Sequence, residues 1–321
     1  MRFKHSVSVS INNFVNVFKL LLYKLAFGVV FFSIAYLILN LGLSTITKSA
    51  EFHTLKTEVF DFVNALFTGK TDVLQSFGAD FREAFKNFSS VVAQNRGTIA
   101  GCLVGVGLVY LLSRFVGGLA VFAIGSSVND KMSTFARTRF SHAFFKNIGK
   151  ASLYQLIYVP VSFLYDALSL LACWFFFFYA LTYALSLLPI WGFFTIIIAI
   201  FFSVTGMVCL QALKLTLISA WMPKIITDGL SVPAAFRQSI ANRKEFGRRF
   251  VGFLMAVYCI VGINVFAAIF TVGSALLITI PLSYIFLLSM QFVNHYRATG
   301  KKYFVSLNTI RGGDAPENPE A

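Results

Sequence analysis

An all-α integral membrane protein with six transmembrane helices is the fold this sequence predicts, and three observations carry the prediction. Of 321 residues, 57% are hydrophobic and only 12% charged, against about 25% charged in a soluble domain. The apolar residues fall into long runs, each near or above the roughly 20 residues a helix needs to cross a bilayer. The basic residues crowd into alternate segments between those runs, the pattern that orients a membrane protein with its Lys and Arg on the cytoplasmic side. That pattern also answers the net charge of +14. The cations belong to short loops between apolar runs, so no nucleic-acid partner is expected. Helices are required because lipid offers the backbone no hydrogen bonds, and the runs are too long and too unalternating for barrel strands.

Residues 1–24 form a cytoplasmic amphipathic N-terminus. Residues 25–46 are the first span, too long for the apolar core of a signal peptide. The segment 47–98 carries six basic and six acidic residues and belongs outside. Within it, Phe52, Leu55, Val59, Phe62 and Leu66 recur at helical period, as do Phe77, Phe81, Phe85, Phe88 and Val92. Gly69, Lys70, Thr71 and Asp72 offer a turn and a helix start between them. The expectation is a pair of amphipathic helices that lies on the outer membrane face or caps the spans, or else docks a protein partner.

Residues 99–294 hold the remaining five spans: 99–125, one within 153–188, 191–222, 250–270 and 275–294. Pro160, Pro189 and Pro223 mark span ends, with 153–160 either an interfacial lead-in or part of the third span. The tetrapeptide Thr271-Val272-Gly273-Ser274 turns the chain between spans five and six. Residues 295–321 are a cytoplasmic tail with a polar, disordered end after Arg311. With six spans, both termini and the loops 126–152 and 223–249 share one side. Those segments hold four, four, five and six basic residues, 19 of the 27 in the chain, so the positive-inside rule and the span count agree.

The two large cytoplasmic loops match when one is slid by 98 positions. Asp130 meets Asp228, Ser133 meets Ser231, Ala136 meets Ala234 and Arg139 meets Arg237. Ser141 meets Ser239, Ala143 meets Ala241, Lys146 meets Lys244 and Gly149 meets Gly247, with Lys150 opposite Arg248. The expectation is a parallel repeat of spans 2–3 and 4–5, related by an axis along the membrane normal. Each copy carries an amphipathic elbow helix in the headgroup layer, with Asp and Ser near its N-cap. The elbow cations Arg137, Arg139, Lys146, Lys150, Arg237, Arg243, Lys244, Arg248 and Arg249 either anchor topology or bind anionic lipid headgroups. Each is worth about 1 kcal/mol near an anionic leaflet. The stretch from Ser10 to Lys24 reads as a degenerate third elbow.

The elbow from Asp228 to Ser239 (Asp-Gly-Leu-Ser-Val-Pro-Ala-Ala-Phe-Arg-Gln-Ser) resembles the cytoplasmic motif of a loose group of bacterial membrane proteins. The group includes the YciC-like proteins and the membrane domain fused to some glycerophosphodiester phosphodiesterases. The stretch Asn294 to Tyr303 is similar to the tail that follows the last span in that group. The resemblance covers the chain from roughly residue 99 onward. It implies a six-helix bundle in a bacterial cell membrane and a link to lipids, but no reaction, because the soluble phosphodiesterase domain is absent.

Three ionisable residues fall inside spans: Arg114, Asp166 and Lys214. A charge at that depth costs at least about 2.5–3.5 kcal/mol and is expected to be paired or to face water. Asp166 is expected to pair with Arg114, because their spans are adjacent, with Lys214 as the alternative, and the repeat sets Asn264 at the position equivalent to Asp166. Cys102, Cys173, Cys209 and Cys259 lie in apolar runs without metal-ligand or disulfide spacing, and the four histidines are scattered. No metal or cofactor is expected. Gly101, Gly105 and Gly107 follow no strand, so they fit close helix packing and not a nucleotide loop. The sequence therefore predicts a non-catalytic membrane protein that binds lipid or a partner protein. The alternative is a transporter or channel with a path between the repeats, lined by Arg114, Asp166 and Lys214.

Overall fold

A computed structural model describes residues 2–68, 71–186, 192–241, 245–307 and 309–311. Among them, six helices are long and apolar enough to cross a membrane. The helices run in the order α1 (Arg2–Asn12), α2 (Val15–Thr47), α3 (Ala50–Thr68), α4 (Thr71–Gln94), α5 (Arg96–Thr134) and α6 (Phe140–Ala172). A π-helical stretch, Cys173–Ala180, follows α6 and leads into α7 (Leu181–Ser186). Then come α8 (Gly192–Ile218), α9 (Trp221–Thr227), α10 (Val232–Ala241), α11 (Phe246–Phe270) and α12 (Leu276–Ala298). A short antiparallel hairpin of β1 (Tyr303–Ser306) and β2 (Thr309–Arg311) ends the described chain. The residues group into two compact units, Ala26–Arg114 and Met1–Leu25 with Phe115–Ala321.

In the first unit the amphipathic stripes of α3 and α4 meet each other. Phe62 stacks on Phe77 with ring centres 4.0 Å apart, and Phe52 lies 5.9 Å from Phe88. The Ser49 hydroxyl accepts from the Phe52 N–H at 3.2 Å, the bond expected of a helix N-cap. Residues 69 and 70 of the expected turn lie outside the described residues. Helices α2 and α5 approach closely through small residues, and any Cβ added at Gly42 would collide with the Cys102 sulfur.

In the second unit the apolar core concentrates at the end of the bundle where the elbows lie. Val9, Leu20, Phe122, Ile124, Trp221, Ile285, Phe292 and Tyr303 are all fully buried there. Trp221 anchors it. Its indole N–H donates to the Val232 carbonyl at 2.9 Å, and the rings of Tyr154 and Phe236 lie 4.8 and 4.5 Å away. A smaller cluster of Ala212, Phe253, Ala256 and Met290 joins α8, α11 and α12. Elsewhere the spans present large apolar side chains outward, Phe270 at 77% exposure among them, as a bilayer permits.

The helices depart from expectation in four places. Pro160 does not end a helix. It lies inside α6, which runs through 153–160 without a break. Proline frees only one backbone carbonyl, and neighbouring groups in a bundle can satisfy it. Pro223 does not end one either. The chain breaks earlier, at Ser219 and Ala220, and Pro223 sits in the first turn of α9, where its missing N–H has no helical acceptor to lose. The first elbow is not a separate helix. Asp130 and Ser133 lie in the last turns of α5, the chain reverses at Phe135 (φ 58°), Arg137 and Arg139 sit in the link that follows, and Lys146 and Lys150 lie in the first turns of α6 itself. The N-terminal stretch is not an elbow helix, because the helices break at Asn13 and Phe14 and α2 then continues into the first span. The ends expected at Pro189 and Trp191, and the tail beyond Arg311, lie outside the described residues.

Candidate functional site

The elbow end of the second unit contains a cavity of about 370 Å³, lined by α5, the start of α6 and α9. Its volume lies in the roughly 300–1,000 Å³ range of small-ligand sites. The walls come from Phe122, Ser126, Asn129 and Asp130 on α5, from His142, Ala143, Lys146, Asn147 and Lys150 on α6, from Thr138 before it, and from Ile225 and Ile226 on α9. His142, Lys146 and Lys150 stand at i, i+4 and i+8, so α6 sets them in one row along one face. Asn147 donates to the Ser126 hydroxyl at 3.2 Å and ties α6 to α5. Asn129 accepts two hydrogen bonds on its side-chain oxygen, from Thr227 at 2.8 Å and from Tyr296 at 3.0 Å. Its amide N–H donors have no partner among the described residues. Lys146 and Lys150 likewise have no counter-ion among them. A shallower depression beside the cavity shares Lys146 and adds Arg139, Ser141 and Phe145.

The other elbow cations are arranged differently. Arg137 and Arg237 are exposed. Arg248 is exposed and lies 3.6 Å from Glu245, while Arg249 is buried. Arg243 and Lys244 lie outside the described residues. The second elbow is organised around Asp228. Lys301 donates to its carboxylate at 2.6 Å, and the His295 Nε2 lies 3.2 Å from the other oxygen. Partial burial works against ionisation of Asp228, but the Lys301 hydrogen bond and the adjacent His295 outweigh it and hold the carboxyl below its usual range. The contribution of Asp228 to stability is therefore present above about pH 4 and is lost as the pH falls through its folded value. This cluster joins the 228–239 stretch to the 294–303 stretch.

Inside the spans, Asp166 pairs with Lys214. Lys214 donates to Asp166 at 2.7 Å, Gln211 donates to the same oxygen at 2.9 Å, and Ser162 lies 3.4 Å from the other. The recess beside Lys214 is about 160 Å³ and is walled by Tyr158, Val161, Tyr165, Leu217, Trp221 and Ile240, among others. Arg114 donates to the Tyr110 hydroxyl at 3.3 Å and lies 5.7 Å from that ring's centre. Asn264 bonds Thr279 and Ser283 on α12 at 2.7 and 3.3 Å.

Sequence reasoning named the cations of the cavity but missed His142, Asp130, Asn129 and Asn147. The i, i+4, i+8 row was visible in the sequence, yet it becomes a wall only once α6 is known to begin at Phe140. No family model matches this chain, and no curated protein or solved structure matches it either.

Proposed function

We propose that this chain is a non-catalytic, multi-pass protein of a bacterial cytoplasmic membrane that binds phospholipid headgroups at its elbows, with both termini and the elbows in the cytoplasm. The observation that carries this reading is the elbow cavity, where Lys146 and Lys150 meet without a counter-ion in a space of ligand size. Placed at the ends of spans, such a pair lies at the depth of lipid phosphates. The positive-inside count supports the orientation.

The parallel repeat is supported by a contact between equivalent positions. Asn129 and Thr227 are 98 residues apart and share a hydrogen bond. Positions exchanged by a two-fold axis can touch only beside that axis. The transporter reading has less to support it, because Asp166 is already satisfied by Lys214 and Gln211 and the recess beside them has mostly apolar walls.

Native mass spectrometry of the purified full chain tests the reading. The expected result is a co-purifying phospholipid that the double variant Lys146→Gln/Lys150→Gln loses. Equal lipid retention by wild type and variant rules the reading out.

A further inference from the structure

Binding of an anion alone leaves one feature of the elbow cavity without a role. Its lining carries a carboxylate, Asp130, together with Lys146 and Lys150. Asp130 accepts a hydrogen bond from Thr138, yet it forms no ion pair with any cation among the described residues. Opposite charges that share a cavity without meeting leave room for a ligand that bears both signs.

The helices also set the order of those charges. The α5 and α6 helices are tied together where Asn147 meets Ser126. Asp130 lies four residues past Ser126 toward the elbow, about 6 Å at a rise of 1.5 Å per residue. Lys150 lies three residues past Asn147 in the opposite direction, toward the spanning half of α6, about 4.5 Å. Lys146 lies one residue before Asn147, so the backbones of both lysines stand nearer the spanning half of the helices than that of Asp130 does. An ethanolamine phospholipid has the same order. Its phosphate adjoins the glycerol and the chains, and its primary ammonium points away from them.

We infer that the cavity takes the phosphoethanolamine group of an aminophospholipid, with the phosphate on Lys146 and Lys150 and the ammonium on Asp130. The inference rests on the headgroup-binding role proposed above. The free N–H donors of Asn129 supply a neutral contact for the phosphate, since the oxygen of that side chain is already used by Thr227 and Tyr296. Phosphatidylglycerol would leave Asp130 without a cation. Phosphatidylcholine would bring a cation that has no N–H to donate.

The test uses the full chain in detergent with equal amounts of phosphatidylethanolamine, phosphatidylglycerol and phosphatidylcholine, read by native mass spectrometry. Phosphatidylethanolamine is expected to be retained about tenfold over the other two, the scale of one hydrogen bond to a charged group. Asp130→Asn should erase that preference, and Asp130→Glu, which keeps the charge, should preserve it. Equal retention of phosphatidylethanolamine and phosphatidylglycerol by wild type overturns the inference, as does a preference that survives in Asp130→Asn. In either case the headgroup reading stands if Lys146→Gln/Lys150→Gln still lowers phosphatidylglycerol retention. If no lipid responds to the lysine variant, both fail. Soluble glycerophosphoethanolamine distinguishes the source. If it binds wild type as tightly as the lipid does, and binds Asp130→Asn more weakly, the zwitterion chemistry holds and the lipid origin is overturned.

Discussion

The side chain of Lys214 is only 8% exposed, and its ammonium lies 2.7 Å from Asp166 inside the spans. Neither charge is tolerable there alone, so each residue stabilises mainly by neutralising the other. Lys214→Ala should lower stability by about 3 kcal/mol, because it takes a cation away from a carboxylate inside the spans. The double variant Asp166→Asn/Lys214→Met should recover most of that loss, since it removes both charges at similar volume. Unfolding in mixed micelles measures both, and a double variant as unstable as the single one would contradict this account. That Asp166 needs a partner was legible in the sequence, because charge is scarce in the spans. Which partner was not legible, because Arg114 and Lys214 lie at comparable depths on different helices. The packing of α6 against α8 is what brings Lys214 to Asp166.

At the scale of elements, hydropathy located the six long helices but not their ends. A run of apolar residues stops at the membrane surface, while hydrogen bonding carries α5 to Thr134 and starts α6 at Phe140. The composition of the first elbow resembles that of the second, yet only the second elbow contains a short helix of its own, α10. In the first elbow Phe135, whose backbone occupies the left-handed region, lies in a link of only a few residues between α5 and α6. Helix α1 shows another limit of sequence pattern. It packs on α12 and β1, and its His5 is hydrogen-bonded to Tyr303 at 2.8 Å.

Burial holds His5 below its usual value of 6.5, aided by the positive charges of Arg297, Arg311, the N-terminus and Lys4. A histidine whose folded value is depressed contributes stability above its unfolded value and loses that contribution as the pH falls below it. Hydrogen exchange of the α1 amides should therefore accelerate as the pH drops from about 6.5 toward 5, after correction for intrinsic rates. His5→Gln should flatten that dependence. An α1 equally protected across the range in wild type would show that His5 does not control its docking.

For the whole molecule, orientation is the property on which the proposed lipid site depends, since the two leaflets differ in charge and composition. An impermeant thiol reagent added to intact cells should modify a cysteine placed at Glu83 and spare one placed at Ala241, each in a background without the native cysteines. The reverse labelling would put the elbow cavity in the outer leaflet. The number of long apolar helices was legible in the sequence. The joining of the two elbows through Asn129, Thr227 and Tyr296 was not, because those side chains are polar, uncharged and far apart in the chain.

The docking of α1 against β1 also has a consequence for the order of synthesis. Val9 shares its buried core with Tyr303, and Asn12 donates to the Val305 carbonyl at 2.6 Å. Helix α1 thus completes its packing against a segment that lies 293 residues further along the chain. At about 5–20 residues per second, α1 waits roughly 15–60 s for that partner. Its apolar face spends the interval unpaired at the membrane surface, so the elbow-end core closes only when nearly every span is already in the bilayer.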